Sequence, residues 1–185
     1  MDKYTVLFVD DEPNILRSLK RMFRSESFAI MTADNGRDAL DIMNHNNIQV
    51  LVTDNLMPEM TGVELLRKVK DISPKTVRII LSGHSDMNAV LNAVNEGEAF
   101  RFMLKPWNDL DLKACVSLAL AHYKLIESND LLVKELQEKS RLLDTIRAHH
   151  PELFTATQPQ DRYTIDDSNE TNEMHTDGGN LKVNK

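Results

Sequence analysis

Apolar residues gather into short β-rich runs that alternate with segments of helical period. Residues 4–9, YTVLFV, form the first run. Pro13 follows where the first turn of a helix tolerates proline, and Ile15, Leu16, Leu19, Met22 and Phe23 then recur at helical spacing. Residues 28–33 read as a shorter second strand, after which Asp34 or Asn35 can cap a helix carrying Ala39, Leu40 and Met43. The Asn-containing stretch 44–47 ends it. Residues 50–53 read as a buried third strand. A Thr61-Gly62 turn opens a helix with Val63, Leu65, Leu66 and Val69, which Pro74 closes. Residues 77–81 give a fourth strand, Ser85 or Asp86 the cap of a helix bearing Val90, Ala93 and Val94, and Gly97 its end. Residues 99–104 give a fifth strand. Strand and helix alternating five times predicts an α/β domain built on a doubly wound parallel sheet.

The pattern then changes. Asn108, before Asp109 and Asp111, caps a helix whose character persists to about residue 148, far longer than one α/β crossover needs. Along it Leu118, His122, Leu125, Asn129, Leu132, Leu136, Lys139, Leu143 and Ile146 keep an unbroken four–three spacing. That is a heptad seam with Leu118, Leu125 and Leu132 at d and Asn129 at a, and a buried asparagine there favours parallel pairs. It predicts a homodimer. The competing reading is a helix packed back on its own domain, which Ile126, Leu131 and Val133 off the seam support, while His122 and Lys139 weaken the zipper. From Pro151 onward apolar residues become sparse, and seven acidic residues face three basic ones between Glu152 and Lys185. A segment of that composition is expected to stay disordered, with residues 162–165 the one stretch able to form a weak strand. The expected organisation is an α/β domain over 1–122, a helical extension over 123–150 and a polar acidic tail over 151–185.

At 185 residues and 41% hydrophobic content the chain has room for one such domain plus its extension. The net charge of -7 and the lack of a basic stripe argue against nucleic acid. Cys115 is the single cysteine, so neither a disulfide framework nor a cysteine metal site is expected, which suits a reducing compartment. Met1-Asp2-Lys3 leads straight into a strand, and no apolar run approaches the roughly 20 residues of a membrane span. A cytoplasmic location without membrane contact is the expectation.

The strand ends carry the chemistry. Asp10-Asp11 follows the first strand, Asp54 the third, Ser82 the fourth and Lys105-Pro106 the fifth. If these strands are parallel neighbours, their carboxyl ends lie along one edge, where open α/β sheets place ligands. Three clustered carboxylates repel unless a cation sits among them, and Mg²⁺, which takes oxygen ligands and phosphate together, is the simplest remedy. The edge therefore looks built for phosphoryl chemistry. Taken singly, each residue has a plainer role: Asp10-Asp11-Glu12 as helix N-terminal acids, Asp54 as a turn former, Ser82 before Gly83 as a loop residue, Lys105 as a surface lysine. Only the joint placement points to a site. The six histidines fit no metal spacing.

With those residues in that order, residues 4 to about 122 resemble the receiver domain of two-component response regulators. The resemblance implies a flavodoxin-like five-stranded parallel sheet in the order 2-1-3-4-5. It implies Asp54 as phospho-acceptor, Asp10 and Asp11 as the acid pocket, and Asp11 with the Leu56 backbone carbonyl as Mg²⁺ ligands beside Asp54. Ser82 takes the position of the switch hydroxyl, Lys105 that of the pocket lysine with a cis bond to Pro106, and Phe102 that of the aromatic switch, here without a tyrosine hydroxyl. Leu56 and His84 stand where side chains border the approach of hydrolytic water. A histidine kinase or phosphotransfer protein is the implied phosphodonor. Readout is implied through the face formed by the fourth helix, fifth strand and fifth helix. No helix-turn-helix, second nucleotide motif or hydrolase signature follows, so output by contact with an unknown target is expected. Two other readings stay open: a pseudo-receiver serving only as an interaction module, and an aspartate-nucleophile phosphatase. The latter would need a second acid two residues after the nucleophile, where Leu56 stands.

Overall fold

The computed structural model describes residues 4–83, 87–96 and 98–154, the side chains of 87–90 and 152 excepted. Five strands and five α-helices alternate: β1 (Thr5–Val9), α1 (Pro13–Met22), β2 (Ala29–Ala33), α2 (Gly36–His45), β3 (Val50–Asp54), α3 (Gly62–Ile72), β4 (Val77–Ser82), α4 (Met87–Asn95), β5 (Arg101–Leu104) and α5 (Asp109–His149). All strand pairs are parallel and the sheet order is β2-β1-β3-β4-β5. This is the doubly wound fold expected.

Alternation of side chains along the strands divides the core into two layers. Val6 and Phe8 of β1 pack with Leu16 and Leu19 of α1 and with Leu112, Val116 and Ala119 of α5. Leu7 and Val9, on the opposite face, pack with Ala39 of α2, Leu65, Leu66 and Val69 of α3, and Ala93 of α4. Helix starts follow local chemistry. The Asn35 side chain accepts the Asp38 amide at 2.8 Å, so Asn35 caps α2. Thr61 and Glu64 form a reciprocal capping box at α3, satisfying two amides that the helix leaves free. The expected capping by Ser85 or Asp86 and the role of Gly97 lie outside the described residues.

One expected boundary is corrected. β5 begins at Arg101 rather than at residue 99, because the amides of Glu98 and Ala99 both bond back to the Ala93 carbonyl, closing α4, before Phe100 reaches the Arg78 carbonyl. Past the end of α5, Pro151–Phe154 form a 3-10 turn, and the rest of the acidic tail, from residue 155, lies outside the described residues. The Leu153 amide bonds to the His150 carbonyl at 3.1 Å, and the Arg147 guanidinium lies 5.2 Å from the Phe154 ring centroid. The suggested strand at 162–165 lies outside the described residues.

The chain forms two compact units, residues 1–139 and 140–185. In the first, α5 stays on the sheet well past residue 122. Tyr123 is buried and meets Tyr4 edge-on at 6.0 Å, Ile126 packs against the core, and Asp130 pairs with Lys75. The second unit, as described, holds the end of α5 and the 3-10 turn. Among the described residues, no buried side-chain nitrogen or oxygen lacks a partner, and no helix is long and apolar enough to cross a membrane.

Candidate functional site at the carboxyl edge of the sheet

Asp54 is the last residue of β3, and the two following positions turn the chain across the sheet edge. The Asn55 amide continues the ladder to the Leu81 carbonyl at 2.9 Å, and the Leu56 amide returns to Asp54 Oδ2 at 3.2 Å. One residue beyond β1, Asp10 is fully buried, with Oδ1 accepting the Glu12 amide at 2.9 Å. Lys105 follows β5, and its amide donates to the Ser82 carbonyl at 2.8 Å, which fixes the lysine to the end of β4. Its ammonium bridges both acids, 2.9 Å from Asp10 Oδ2 and 2.6 Å from Asp54 Oδ1. The Lys105-Pro106 peptide is cis. Ser82 is buried and its hydroxyl donates to the Gly83 carbonyl at 2.9 Å.

One ammonium serving two carboxylates sets the electrostatics. Burial pushes the Asp54 carboxyl above its ordinary range. The Lys105 hydrogen bond and charge oppose this, and Asp10 adds to it. Burial alone would pull the Lys105 ammonium down, but hydrogen bonds and charge from Asp54 and Asp10 outweigh it, and its pKa is raised. The two directions agree physically: the lysine gains two anions, whereas each anion has half a cation.

Of the residues singled out from the sequence, Asp10, Asp54 and Lys105 converge directly. Ser82 lies on the neighbouring strand end. Phe102, paired with Ile80 across β4 and β5, is partly buried against the layer of α2, α3 and α4. Asp11 is exposed, and Leu56, whose amide reaches Asp54, is 55% exposed. His84 lies outside the described residues. Among the described residues no three His, Cys, Asp or Glu side chains are grouped as a metal cage. The donors present still suit Mg²⁺, which is commonly held by one or two carboxylates and several waters. Asp10 and Asp54 are oxygen donors already drawn to a shared cation.

Gly62 and Asn55 escaped the sequence reading as parts of the site. A Cβ on Gly62 would stand 2.2 Å from the Asp54 carbonyl oxygen and 2.9 Å from Asn55 Cα, so only glycine lets α3 begin against the backbone of Asp54. The Gly62 amide donates to the Asn55 carbonyl at 3.0 Å and the Val63 amide to Asn55 Oδ1 at 3.3 Å. The available signal is a glycine at the first position of a helix, eight residues after Asp54.

Comparison with known proteins agrees with this geometry. HoxA of Cupriavidus necator, a hydrogenase transcriptional regulatory protein, is 36% identical over 103 residues, 56% of this chain and 21% of HoxA. The transcriptional regulatory protein FixJ of Rhizobium meliloti is 32% identical over 183 residues, 95% of this chain and 86% of FixJ. A response regulator receiver domain protein from Clostridium thermocellum, known as a crystal structure, superposes with a TM-score of 0.62 at 34% identity, over 66% of this chain and 98% of that one. The chain spans only 21% and 25% of the two HoxA proteins it matches. The family model of the response regulator receiver domain matches residues 6–117. With Asp54, Asp10 and Lys105 joined at the strand ends in that same stretch, the chain belongs to the response regulator receiver domain family.

Proposed function

We propose that the chain is a phospho-accepting signalling receiver in which Asp54 takes a phosphoryl group from the histidine of a kinase or phosphotransfer protein. The observation carrying this reading is the Lys105 ammonium held by Asp10 and Asp54 at the carboxyl edge of the sheet. An Asp54 carboxylate oxygen attacks phosphorus in line. The O–P bond forms as the donor's P–N bond breaks, and the electron pair leaves with the imidazole. Lys105 is already oriented and stabilises charge on the phosphoryl oxygens. Asp10, Asp11, Asp54 and the Leu56 carbonyl would hold Mg²⁺, which supplies further neutralisation of that charge.

A hollow of about 510 Å³ beside the site, lined by Asn14, Ile15, Ser18, Lys105, Pro106 and Trp107, gives the donor protein an apolar footing. Before phosphorylation the Ser82 hydroxyl is spent on the Gly83 carbonyl. A phosphoryl group on Asp54 offers a stronger acceptor, drawing Ser82 over and leaving room for Phe102 to turn further inward, which alters the α4-β5-α5 face. The chain acts on no external substrate and signals by contact. Incubation with acetyl phosphate and Mg²⁺ should leave one hydroxylamine-labile phosphoryl adduct by mass spectrometry, absent from Asp54→Asn. An adduct persisting in that variant would refute the assignment; none in the native chain would favour a pseudo-receiver.

A further inference from the structure

At the amino edge of the sheet, away from Asp54, the second residue of β4 is a buried cation. Arg78 is 9% exposed, and its guanidinium is held by backbone. Nε donates to the Glu98 carbonyl at 2.6 Å, and Nη1 to the carbonyls of Thr76 at 2.9 Å and Pro74 at 3.4 Å. These three neutral acceptors fix the group without cancelling its charge. The acids nearby are already engaged. Glu98 receives Arg67 Nε at 2.9 Å on both carboxylate oxygens, Glu96 receives Arg67 Nη2 at 3.3 Å, and Asp130 pairs with Lys75. The charge of Glu98 is felt at Arg78 without an ion pair, and burial, the larger effect, pulls the guanidinium below its ordinary range. The remaining nitrogen, Nη2, donates to no described residue. Since no buried nitrogen among the described residues lacks a partner, Nη2 reaches the surface.

The surface beside Arg78 is concave. A hollow of about 170 Å³ opens there, bounded by residues 74–77, residues 99–100 and α5. Val77 and Ile126 give it an apolar wall. Phe100 and His122 give it another, their rings stacked with centroids 4.7 Å apart and planes 18° from parallel. Lys75, half-exposed, adds a second cation. We propose that this hollow binds a short aliphatic carboxylate, its acid group on Arg78 Nη2 and its carbon chain against Val77 and Ile126. The site lies at the opposite edge of the sheet from Asp54 and does not depend on the phospho-acceptor reading.

The chemistry of the walls selects this class. A buried guanidinium without a carboxylate of its own is destabilising, and an anion that replaces water on it forms a charge-assisted hydrogen bond in a partly desolvated setting. The ammonium of Lys75 has three donors, which one acid does not exhaust. Phosphate carries acceptor oxygens on every side and would leave some against the apolar wall, whereas a carboxylate on an alkyl chain is polar at one end only. Size narrows the class further. Pockets for drug-sized ligands hold about 300–1,000 Å³, so this one admits an acid of a few carbons and excludes a peptide segment.

Titration of the isotope-labelled full chain with propionate at constant ionic strength, followed by amide chemical shifts, tests the assignment. Shifts should saturate, with half-saturation below about 10 mM, and should centre on the hollow. The amides of Asn55, Leu56 and Lys105, at the other edge, should not move. Propionamide, with the same shape and no charge, and phosphate, with charge and no alkyl chain, should each bind at least about tenfold more weakly. Arg78→Gln should weaken propionate by about tenfold or more, and Ile126→Trp, at a half-buried position, should fill the hollow and abolish binding. Should Arg78→Gln fail to fold, Ile126→Trp decides alone. Absence of saturation, shifts centred on Lys105, equal binding of propionamide, or native affinity in either folded variant overturns the site. Phosphate binding as tightly as propionate overturns the ligand class.

Discussion

Asp54, the proposed phospho-acceptor, is held in a place that disfavours its charge. Because burial first and Asp10 after it raise its pKa, the folded chain holds the Asp54 proton more tightly than the unfolded chain does. Its ionisation therefore costs stability: the cost is absent below the unfolded-state pKa, grows as pH rises through the folded one, and is complete above it. Asp54→Asn should then melt higher than the native chain at pH 7, by about 2–4 °C, the shift that ~1 kcal/mol produces in a chain of this size. The difference should shrink on acidification. Calorimetry that finds the variant less stable at pH 7 would mean that the Lys105 pairing outweighs burial. On the phospho-acceptor reading, Leu56 bears on the same residue from outside. It is exposed beside the acceptor and offers water neither donor nor acceptor, so an aspartyl phosphate here should be long-lived. Leu56→Asn should speed loss of label by about tenfold, equivalent to ~1.4 kcal/mol of barrier. Slower or unchanged decay of the labelled variant would show that residue 56 does not gate water.

At the scale of elements, the entry into α3 is where local rules and the site pull in opposite directions. Glycine inside a helix ordinarily costs about 0.5–1 kcal/mol relative to alanine. At Gly62 the balance reverses, because a Cβ would strike the Asp54 carbonyl and Asn55 Cα, both backbone atoms. Gly62→Ala should destabilise by about 1–3 kcal/mol, read as a lowered urea midpoint at unchanged slope, and should also slow labelling of Asp54. A midpoint equal to or above that of the native chain would mean that the β3–α3 connection yields freely. The existence and type of the elements were legible because period two and period 3.6 rarely coincide, and a cap at Asp34 or Asn35 and the Thr61-Gly62 turn announced two helices. The order of the strands came from the family resemblance, since no local pattern tells β1 to sit between β2 and β3. The bridge from Lys105 to Asp10, 95 residues apart in sequence, was legible only through that order. His122 was assigned to the heptad seam by spacing. Its stacking on Phe100 left no trace in the sequence, because the partner lies on a different element. The late start of β5 was hidden for a similar reason: whether the amides of Glu98 and Ala99 join the sheet depends on the end of α4.

In the whole molecule, the residues of the candidate site, Asp10, Asp54, Ser82 and Lys105, come from four strands yet share one edge because the sheet is parallel throughout. The same sheet is unequally sealed. β3 and β4 are buried at every residue and β1 at all but its first. In β2 only the last residue is buried, and in four-residue β5 none is. Amide exchange should follow this gradient, since edge segments with few buried contacts open locally while central strands wait for global unfolding. In deuterium-exchange mass spectrometry, peptides from β3 and β4 should be the slowest of the sheet and those covering Arg101–Leu104 the fastest. Protection of β5 equal to that of β3 would contradict this. On this gradient Phe102 rides on the strand expected to exchange with solvent most readily, and β5 should be the first part of the sheet to yield to heat, denaturant or a protease.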